Sequence, residues 1–219
     1  MDPKRVVAAG YDAIAERYLA WSDLRPSAAR LRYLALAQEL IPPEADVLDL
    51  GCGAGIPMTA ALAAGRHVTG IDISSAQISL ARVNVPSASF IHADLTTLEL
   101  PAASLDAVVA FYSLTHVPRA EHAALFARIR SWLRPDGVFL ASLGVEDSPD
   151  EIEADWLGVD MFFSHFSARV NRRLITEAGF RIERADVVSE PEDRHDARFL
   201  WVVARVPERE PEPEPEPPS

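Results

Sequence analysis

The residue pattern best suited to chemistry is a glycine-rich turn that directly follows the apolar segment Asp46–Leu50 and contains Gly51, Gly53 and Gly55. Such a turn lets the polar groups of a ligand approach bare backbone N–H groups, and the N-terminus of the helix after it favours negative charge. Ligands of open α/β sheets bind at the carboxyl ends of the strands. The turn therefore predicts a site for a nucleotide-like cofactor.

The spacing of these glycines helps to distinguish between classes of cofactor. In the dinucleotide fingerprint G-x-G-x-x-G, the third glycine comes three residues after the second. Here Gly55 comes one residue earlier, and Ile56 stands where that fingerprint has glycine. Asp49, which precedes the first glycine by two residues, also lies outside the fingerprint. Both departures argue against a nicotinamide dinucleotide.

A second acid, Asp72, follows the apolar segment 67–71, which we predict to be the second strand. It comes about twenty residues after the glycines, at the distance where dinucleotide-binding folds place an acid against the ribose. A carboxylate there can accept hydrogen bonds from two hydroxyl groups. We predict that Asp72 and its neighbour Ile73 contact the cofactor.

These residues resemble the first motif, D/E-x-G-x-G-x-G, of the class I, Rossmann-like S-adenosylmethionine-dependent methyltransferases of the small-molecule type. The resemblance runs in order from residue 47 to residue 143. It includes residues 133–137, which are similar to the L-x-P-G-G turn before the family's fifth strand, with Asp136 in place of a glycine. It implies that S-adenosyl-L-methionine is the cofactor and S-adenosyl-L-homocysteine the product.

The same resemblance assigns further residues to the cofactor. It implies that Asp94, at the end of the third predicted strand, reads the adenine amino group and that Leu95 packs on the ring. Tyr11 belongs to a segment similar to the one that closes over the cofactor in small-molecule members. Asp49 or Asp72 taken alone could equally be a strand-end or helix-cap residue, and Asp94 taken alone favours that reading. The joint occurrence of the three acids favours the cofactor site. The residues implied in this way are Asp49, Gly51, Gly53, Gly55, Asp94, Leu95 and Tyr11.

Two histidines are candidates for catalysis. His116 directly follows the fourth predicted strand, and His165 lies in the aromatic segment 161–166. Either side chain could deprotonate or bind a methyl acceptor, and either could be a packing residue instead. Methyl transfer is an in-line displacement that mainly requires alignment and exclusion of water, so a base is needed only for a protonated, weakly nucleophilic acceptor.

We predict metal-independent chemistry. A metal-assisted transfer needs acidic ligands after the fourth strand, and residues 111–113 offer none. The single cysteine, Cys52, excludes an internal disulfide and a multi-cysteine zinc site.

Alternating apolar segments and amphipathic helices predict an α/β fold. We expect a doubly wound, mostly parallel seven-stranded sheet with an antiparallel edge hairpin and an N-terminal helical cap. One domain covers residues 1–206, with the cap at 1–41 and a less regular, substrate-covering insertion at 144–166. Proline and glutamate alternate in residues 207–219, which predicts a disordered tail.

The net charge and the composition limit the classes of partner that we expect. The formal net charge of −12 opposes attraction to a phosphate backbone, so we expect a small-molecule partner and no nucleic acid. The chain has no apolar run of the roughly eighteen residues that cross a membrane, and its first residues lack the pattern of a secretory signal. We therefore expect a cytoplasmic protein without a membrane partner.

Three functions remain open from the sequence. The first is S-adenosylmethionine-dependent transfer of a methyl group to a small, largely apolar or aromatic molecule, for which aromatic residues of the insertion would supply a wall. The second is a nicotinamide-dependent oxidoreductase, which the glycine spacing opposes. The third is a cofactor-binding protein without transferase activity. The sequence does not identify the acceptor or the oligomeric state.

Overall fold

The computed structural model describes residues 2–23, 27–191 and 196–208. The predicted disordered tail lies outside the described residues from residue 209 onward. The helices are Pro3–Asp23 (α1), Ala28–Leu40 (α2), Met58–Ala63 (α3), Ser75–Asn84 (α4), His122–Trp132 (α5) and Ala168–Glu177 (α6). The strands are Asp46–Leu50 (β1), His67–Asp72 (β2), Ser89–His92 (β3), Leu105–Ala110 (β4), Leu133–Gly144 (β5), Ser148–Trp156 (β6), Val159–His165 (β7), Arg181–Pro191 (β8) and Asp196–Arg205 (β9).

Seven strands form one sheet in the order β3-β2-β1-β4-β5-β9-β8. Strands β1 to β5 pair in parallel, whereas β9 runs antiparallel to both β5 and β8. The strand order reverses between β1 and β4, so the carboxyl ends of these two strands flank the switch point at which α/β sheets bind ligands. The predicted mostly parallel sheet with an antiparallel edge hairpin is confirmed.

Helices cover both faces of the sheet because successive strand residues point to opposite sides. In β1, Leu48 packs with Phe126 and other α5 residues, whereas Val47 packs with Tyr33 of α2 and Leu62 of α3. The same alternation continues to Asp49, which therefore faces α3. None of the helices within the described residues is long and apolar enough to span a bilayer.

Residues 144–166 form a regular element, so the expectation of a less regular stretch was wrong. Strands β6 and β7 pair as an antiparallel hairpin apart from the main sheet. Met161 and Phe162 of β7 are buried against Val6 and Val7 of α1. Strand β6 is exposed along most of its length and carries acidic residues. The apolar alternation that signals a half-buried strand is confined to Ile152, Ala154 and Trp156 at its end.

The glycine-rich turn joins three strand ends. The backbone N–H groups of Gly51 and Cys52 both donate to the carbonyl of Ile71 in β2, at 2.7 and 2.9 Å. The hydroxyl of Ser113, after β4, donates to the carbonyl of Leu50 at 2.6 Å. Gly51 has φ +77°, and a Cβ at this position would overlap the Ser113 side chain. The turn therefore requires glycine for both its conformation and its packing.

We predict that Gly51→Ala destabilises the protein more than Gly65→Ala does. Gly65 has φ +97°, but no atom lies within 4 Å of the place that an alanine Cβ would occupy, so its substitution carries only the conformational cost of about 1–2 kcal/mol. Alanine at Gly51 adds an overlap with Ser113, which costs about a further 1–3 kcal/mol. Urea denaturation of both variants measures the difference, and equal losses would contradict this account of the turn.

Candidate active site

One cavity opens at the carboxyl ends of the central strands, beneath α1. Most of the residues singled out from the sequence line it, and they come from α1 and from the ends of β1, β2, β3 and β4. The predicted residues in its lining are Tyr11, Asp49, Gly51, Gly53, Asp72, Ile73, Asp94, Leu95 and His116. The structure thus brings these residues together around one space.

Two predicted residues lie outside this lining. Gly55 has φ +80° and packs toward Val85 and Ala81, so it contributes to the conformation of the turn on the side away from the cavity. His165, at the end of β7, donates from Nδ1 to the carbonyl of Glu146 at 2.7 Å and lies against Gly144. The backbone next to the hairpin therefore fixes the His165 ring, and His165 is not among the residues that line the cavity.

Asp49 is a buried carboxylate on the cavity wall. Its only hydrogen-bond partner among the described residues is the hydroxyl of Thr59 in α3, which donates to Oδ2 at 2.6 Å. Burial raises the pKa of Asp49 to about 6, and the nearby Asp72 adds to the rise. A cationic ligand in this cavity would stabilise the ionised form of this carboxylate.

Asp72 is held by backbone groups. The N–H of Gly53 donates to Oδ2 and the N–H of Ser74 donates to Oδ1, each at 2.9 Å. Burial raises the pKa of Asp72, although these two donors oppose the rise. Each carboxylate oxygen keeps a second lone pair, so both remain able to accept a hydrogen bond from a ligand.

Asp94 has a partner that the sequence did not suggest. Lys4, in the first turn of α1, lies 3.0 Å from Asp94 Oδ2 and also donates to Glu121 at 2.8 Å. Thr96 donates to Oδ1 of Asp94 from both its N–H and its hydroxyl, each at 2.8 Å. Burial alone would raise the pKa of Asp94, but these hydrogen bonds and Lys4 hold it below its ordinary value.

Helix α1 is fastened to three strand ends. Lys4 binds Asp94 after β3, and Asp12 accepts hydrogen bonds from the Ser74 hydroxyl at 2.6 Å and from the Ala76 N–H at 3.0 Å, at the start of α4. Tyr11 reaches the residues after β4 through His116. These contacts place α1 across the cavity, as the N-terminal part of the predicted cap, while α2 packs on a face of the sheet.

The contact between Tyr11 and His116 fixes the tautomer of the histidine. His116 Nδ1 lies 2.8 Å from the carbonyl of Phe162, which can only accept, so Nδ1 carries the proton. Nε2 is then an acceptor, and the Tyr11 hydroxyl donates to it at 2.9 Å. Burial lowers the pKa of His116 to about 4 and raises the pKa of Tyr11 well above its ordinary value. Both groups are neutral at pH 7.

Aromatic side chains from the hairpin pack behind Tyr11 and His116. Ring centroids of Tyr11 and Trp156 lie 5.8 Å apart, and those of His116 and Phe163 lie 4.8 Å apart. Among the residues that the structure describes, none of 144–166 lines the cavity. The expected apolar wall therefore comes mainly from α1 and from the residues after β4, and the hairpin supports α1 from outside.

Several lining residues were missed from the sequence. Gln77 of α4 is fully buried, and neither atom of its amide has a partner among the described residues. Arg30, at the start of α2, and Tyr112, after β4, also line the cavity. A polar residue one turn into a helix is ordinarily exposed, so nothing in the local sequence marked Gln77 or Arg30 as facing a ligand.

The donor set fits a polar nucleoside ligand. The amide of Gln77 offers an unpaired donor and acceptor, and buried polar groups require partners. A Cβ at Gly53 would meet only Gln77 Oε1, at 3.8 Å, so the turn presents open backbone toward this amide. In the part of the chain that the structure describes, no three His, Cys, Asp or Glu side chains are placed to hold a metal ion.

Comparison with known proteins agrees with this geometry. Residues 47–137 match the family model described as a methyltransferase domain. A probable S-adenosylmethionine-dependent methyltransferase of Mycolicibacterium smegmatis is 34% identical over 144 residues, which are 63% of this chain and 52% of that protein. The chain thus spans about half the length of this curated relative.

Solved structures share the fold at lower identity. A SAM-dependent methyltransferase of Methanosarcina mazei superposes with a TM-score of 0.70 at 21% identity, covering 80% of this chain and 98% of that one. The 1,6-didemethyltoxoflavin-N1-methyltransferase of Burkholderia thailandensis gives 0.65 at 23% identity, covering 92% and 91%. Residues 47–137 thus match a methyltransferase domain, and the chain shares its fold with S-adenosylmethionine-dependent methyltransferases.

Proposed function

We propose that this protein transfers the methyl group of S-adenosylmethionine to a small, largely apolar or aromatic molecule by in-line displacement, without a metal ion. The observation that carries the proposal is the convergence of the glycine turn with Asp49, Asp72 and Asp94 on one cavity at the switch point of the sheet. These are the positions at which the sequence resemblance implies cofactor contacts.

Residues of the chain hold the cofactor in this proposal. Asp72 accepts hydrogen bonds from the ribose, Asp94 and Leu95 contact the base, and Gln77 supplies a further amide. The bound cofactor supplies an electrophilic methyl group on a cationic sulfur. The two buried acids Asp49 and Asp72 provide negative potential for a cationic ligand, since their charges are only partly compensated by the hydrogen bonds described above.

Helix α1 excludes water and orients the acceptor. Tyr11, Tyr18 and Leu19 of α1 line the cavity together with Phe111 and Val117, so aromatic and apolar side chains are available to contact the acceptor. An aromatic molecule fits such walls. The Burkholderia thailandensis enzyme, which shares this fold, was solved with bound 1,6-didemethyltoxoflavin and S-adenosylhomocysteine, in keeping with a small acceptor.

His116 acts as a positioning residue in this proposal. Its Nε2 lone pair is engaged by Tyr11, and its pKa of about 4 makes it a weak base. The ring instead holds the Tyr11 hydroxyl at the edge of the cavity. His165, whose Nδ1 is bound to the hairpin backbone, has no role in the transfer step that we propose.

A transfer assay tests the proposal. The full chain is incubated with methyl-labelled S-adenosylmethionine and a panel of small aromatic molecules that offer oxygen, nitrogen, sulfur or carbon acceptors. We expect label to pass to at least one acceptor with release of an equal amount of S-adenosylhomocysteine, and Asp72→Ala to lose this transfer. Binding of the cofactor without transfer to any acceptor would instead indicate a cofactor-binding protein that is not a transferase.

We also predict that affinity for S-adenosylmethionine falls by about tenfold between pH 7 and pH 5. The pKa of Asp49 is about 6, and a cationic ligand favours the ionised carboxylate, so protonation of Asp49 at lower pH weakens binding. Calorimetric titrations across this range measure the effect. Asp49→Asn reduces the pH dependence, because Asp72 is then the remaining buried carboxylate, whereas Asp46→Asn, at the other end of β1 and paired with Arg134, leaves it unchanged. A wild-type affinity that does not change with pH would contradict this role.

A further inference from the structure

The side chains of Ser27, Tyr112 and Glu190 form a hydrogen-bonded cluster beside the cavity, where the start of α2, the residues after β4 and strand β8 meet. The Tyr112 hydroxyl donates to Glu190 Oε2 at 2.6 Å, and the Ser27 hydroxyl donates to Glu190 Oε1. The two hydroxyl oxygens also lie 2.8 Å apart. Because Tyr112 lines the cavity, the cluster adjoins the space in which we place the methyl acceptor.

This cluster is one proton short of a complete set of hydrogen bonds. Its oxygens make three short contacts, but the two hydroxyl groups supply only two protons when Glu190 is ionised. One of the contacts then brings two lone pairs together. A proton on Glu190 removes this repulsion, because each of the three side chains can then donate to the next around the cluster. The arrangement therefore favours uptake of one proton.

The backbone of Tyr112 adopts an unusual conformation that fixes this side chain. Tyr112 has φ +59°, in the left-handed region that bulky residues rarely adopt. Its N–H donates to the Ser142 hydroxyl at 2.7 Å, and its ring packs edge-on against Phe199 and Trp201, with centroids 4.9 and 5.4 Å away. Backbone strain of this kind persists only where the surroundings impose it, and it is concentrated at functional sites. These contacts hold the Tyr112 hydroxyl against Glu190.

Tyr112 is suited to pass a proton on, not to keep one. Burial, together with the hydrogen bond to Glu190, raises the pKa of Tyr112 well above its ordinary value, so its hydroxyl is protonated at neutral pH. A phenolic oxygen can nevertheless accept a proton on a free lone pair while its own proton moves to a neighbouring carboxylate. Glu190 is the carboxylate placed to receive that proton.

We infer that Tyr112 and Glu190 together remove the proton of the methyl acceptor. The inference rests on the proposed function and deepens it by naming the reacting group of the acceptor, an aromatic hydroxyl that is still protonated when it binds. A neutral hydroxyl is a weak nucleophile that needs such a base.

The proton and the electrons of this step balance as follows. The bond from the methyl carbon to the hydroxyl oxygen forms while the bond to sulfur breaks, and the electron pair of that bond stays on sulfur. The hydroxyl proton passes to Tyr112 Oη, and the former proton of Tyr112 passes to Glu190 Oε2. Glu190 loses the proton to water after the products leave.

Two matched pairs of methyl acceptors test this role: phenol with thiophenol, and 2-naphthol with 2-naphthalenethiol. At pH 8 each hydroxyl keeps its proton, as a tyrosine side chain does, whereas each aromatic thiol is largely ionised and needs no base. The variants are Glu190→Gln and Tyr112→Phe, which nearly preserve the size of each side chain. The control is Glu183→Gln, in the same strand, whose carboxylate pairs with Arg181 and Arg205 away from the cavity lining.

We expect Glu190→Gln and Tyr112→Phe each to lower kcat for the hydroxyl acceptors by about 10²- to 10⁴-fold with little change in KM, since a positioned base contributes a factor of this size. The rates with the thiols stay near those of wild type, and Glu183→Gln behaves as wild type with all four acceptors. A variant that only loosened the fold would slow both members of a pair, and thermal melting checks folding separately. Equal effects on hydroxyl and thiol, or no effect of either variant, would overturn the inference.

Failure of the proposed function gives a different result. In that case wild type transfers methyl to none of these four acceptors and to none of the panel described above, and the role of Tyr112 and Glu190 falls with it. Transfer by wild type to the thiols or to other panel molecules, but to neither hydroxyl, leaves the proposed function standing and contradicts this inference alone.

Discussion

The site depends on the close approach of the turn after β1 to the first residues after β4. The Ser113 hydroxyl binds the Leu50 carbonyl, and the same serine leaves no room for a side chain at Gly51. With these two strand ends fixed, the turn is also bound to the end of β2 through the carbonyl of Ile71. The ends of β1, β2 and β4 are thereby held together. Asp49 and Asp72 are buried at these strand ends without cationic partners among the described residues.

The second constraint is the position of α1. This helix is fastened by charge at Lys4, by helix capping at Asp12 and by the neutral hydrogen bond from Tyr11 to His116. The hairpin β6–β7 packs on its outer side through Met161 and Phe162. Because the only lysine of the chain is paired with Asp94, the residue implied to read the adenine base also helps to hold the helix that covers it. The carboxylate of Asp94 thus serves both the proposed contact with the base and the attachment of α1 over the site.

Much of the fold followed from the sequence because strands and helices alternate with clear apolar periods. The glycine turn and the strand-end acids were predicted from local patterns, and the structure places Asp49, Asp72 and Asp94 around one cavity. The hairpin was missed because β6 is exposed and acidic along most of its length, and its apolar alternation is confined to Ile152, Ala154 and Trp156. Arg30, Gln77 and the pairing of Tyr11 with His116 depend on contacts between residues distant in the chain, which no local pattern encodes.

Hydrogen–deuterium exchange of the full chain, with S-adenosylhomocysteine, with NAD and without ligand, tests most directly whether this cavity is a cofactor site covered by α1. The account predicts that S-adenosylhomocysteine slows exchange in the turn after β1, at the start of α4 and along α1, while NAD has no effect. Protection by NAD alone, or protection by S-adenosylhomocysteine confined to segments away from these three, would contradict it.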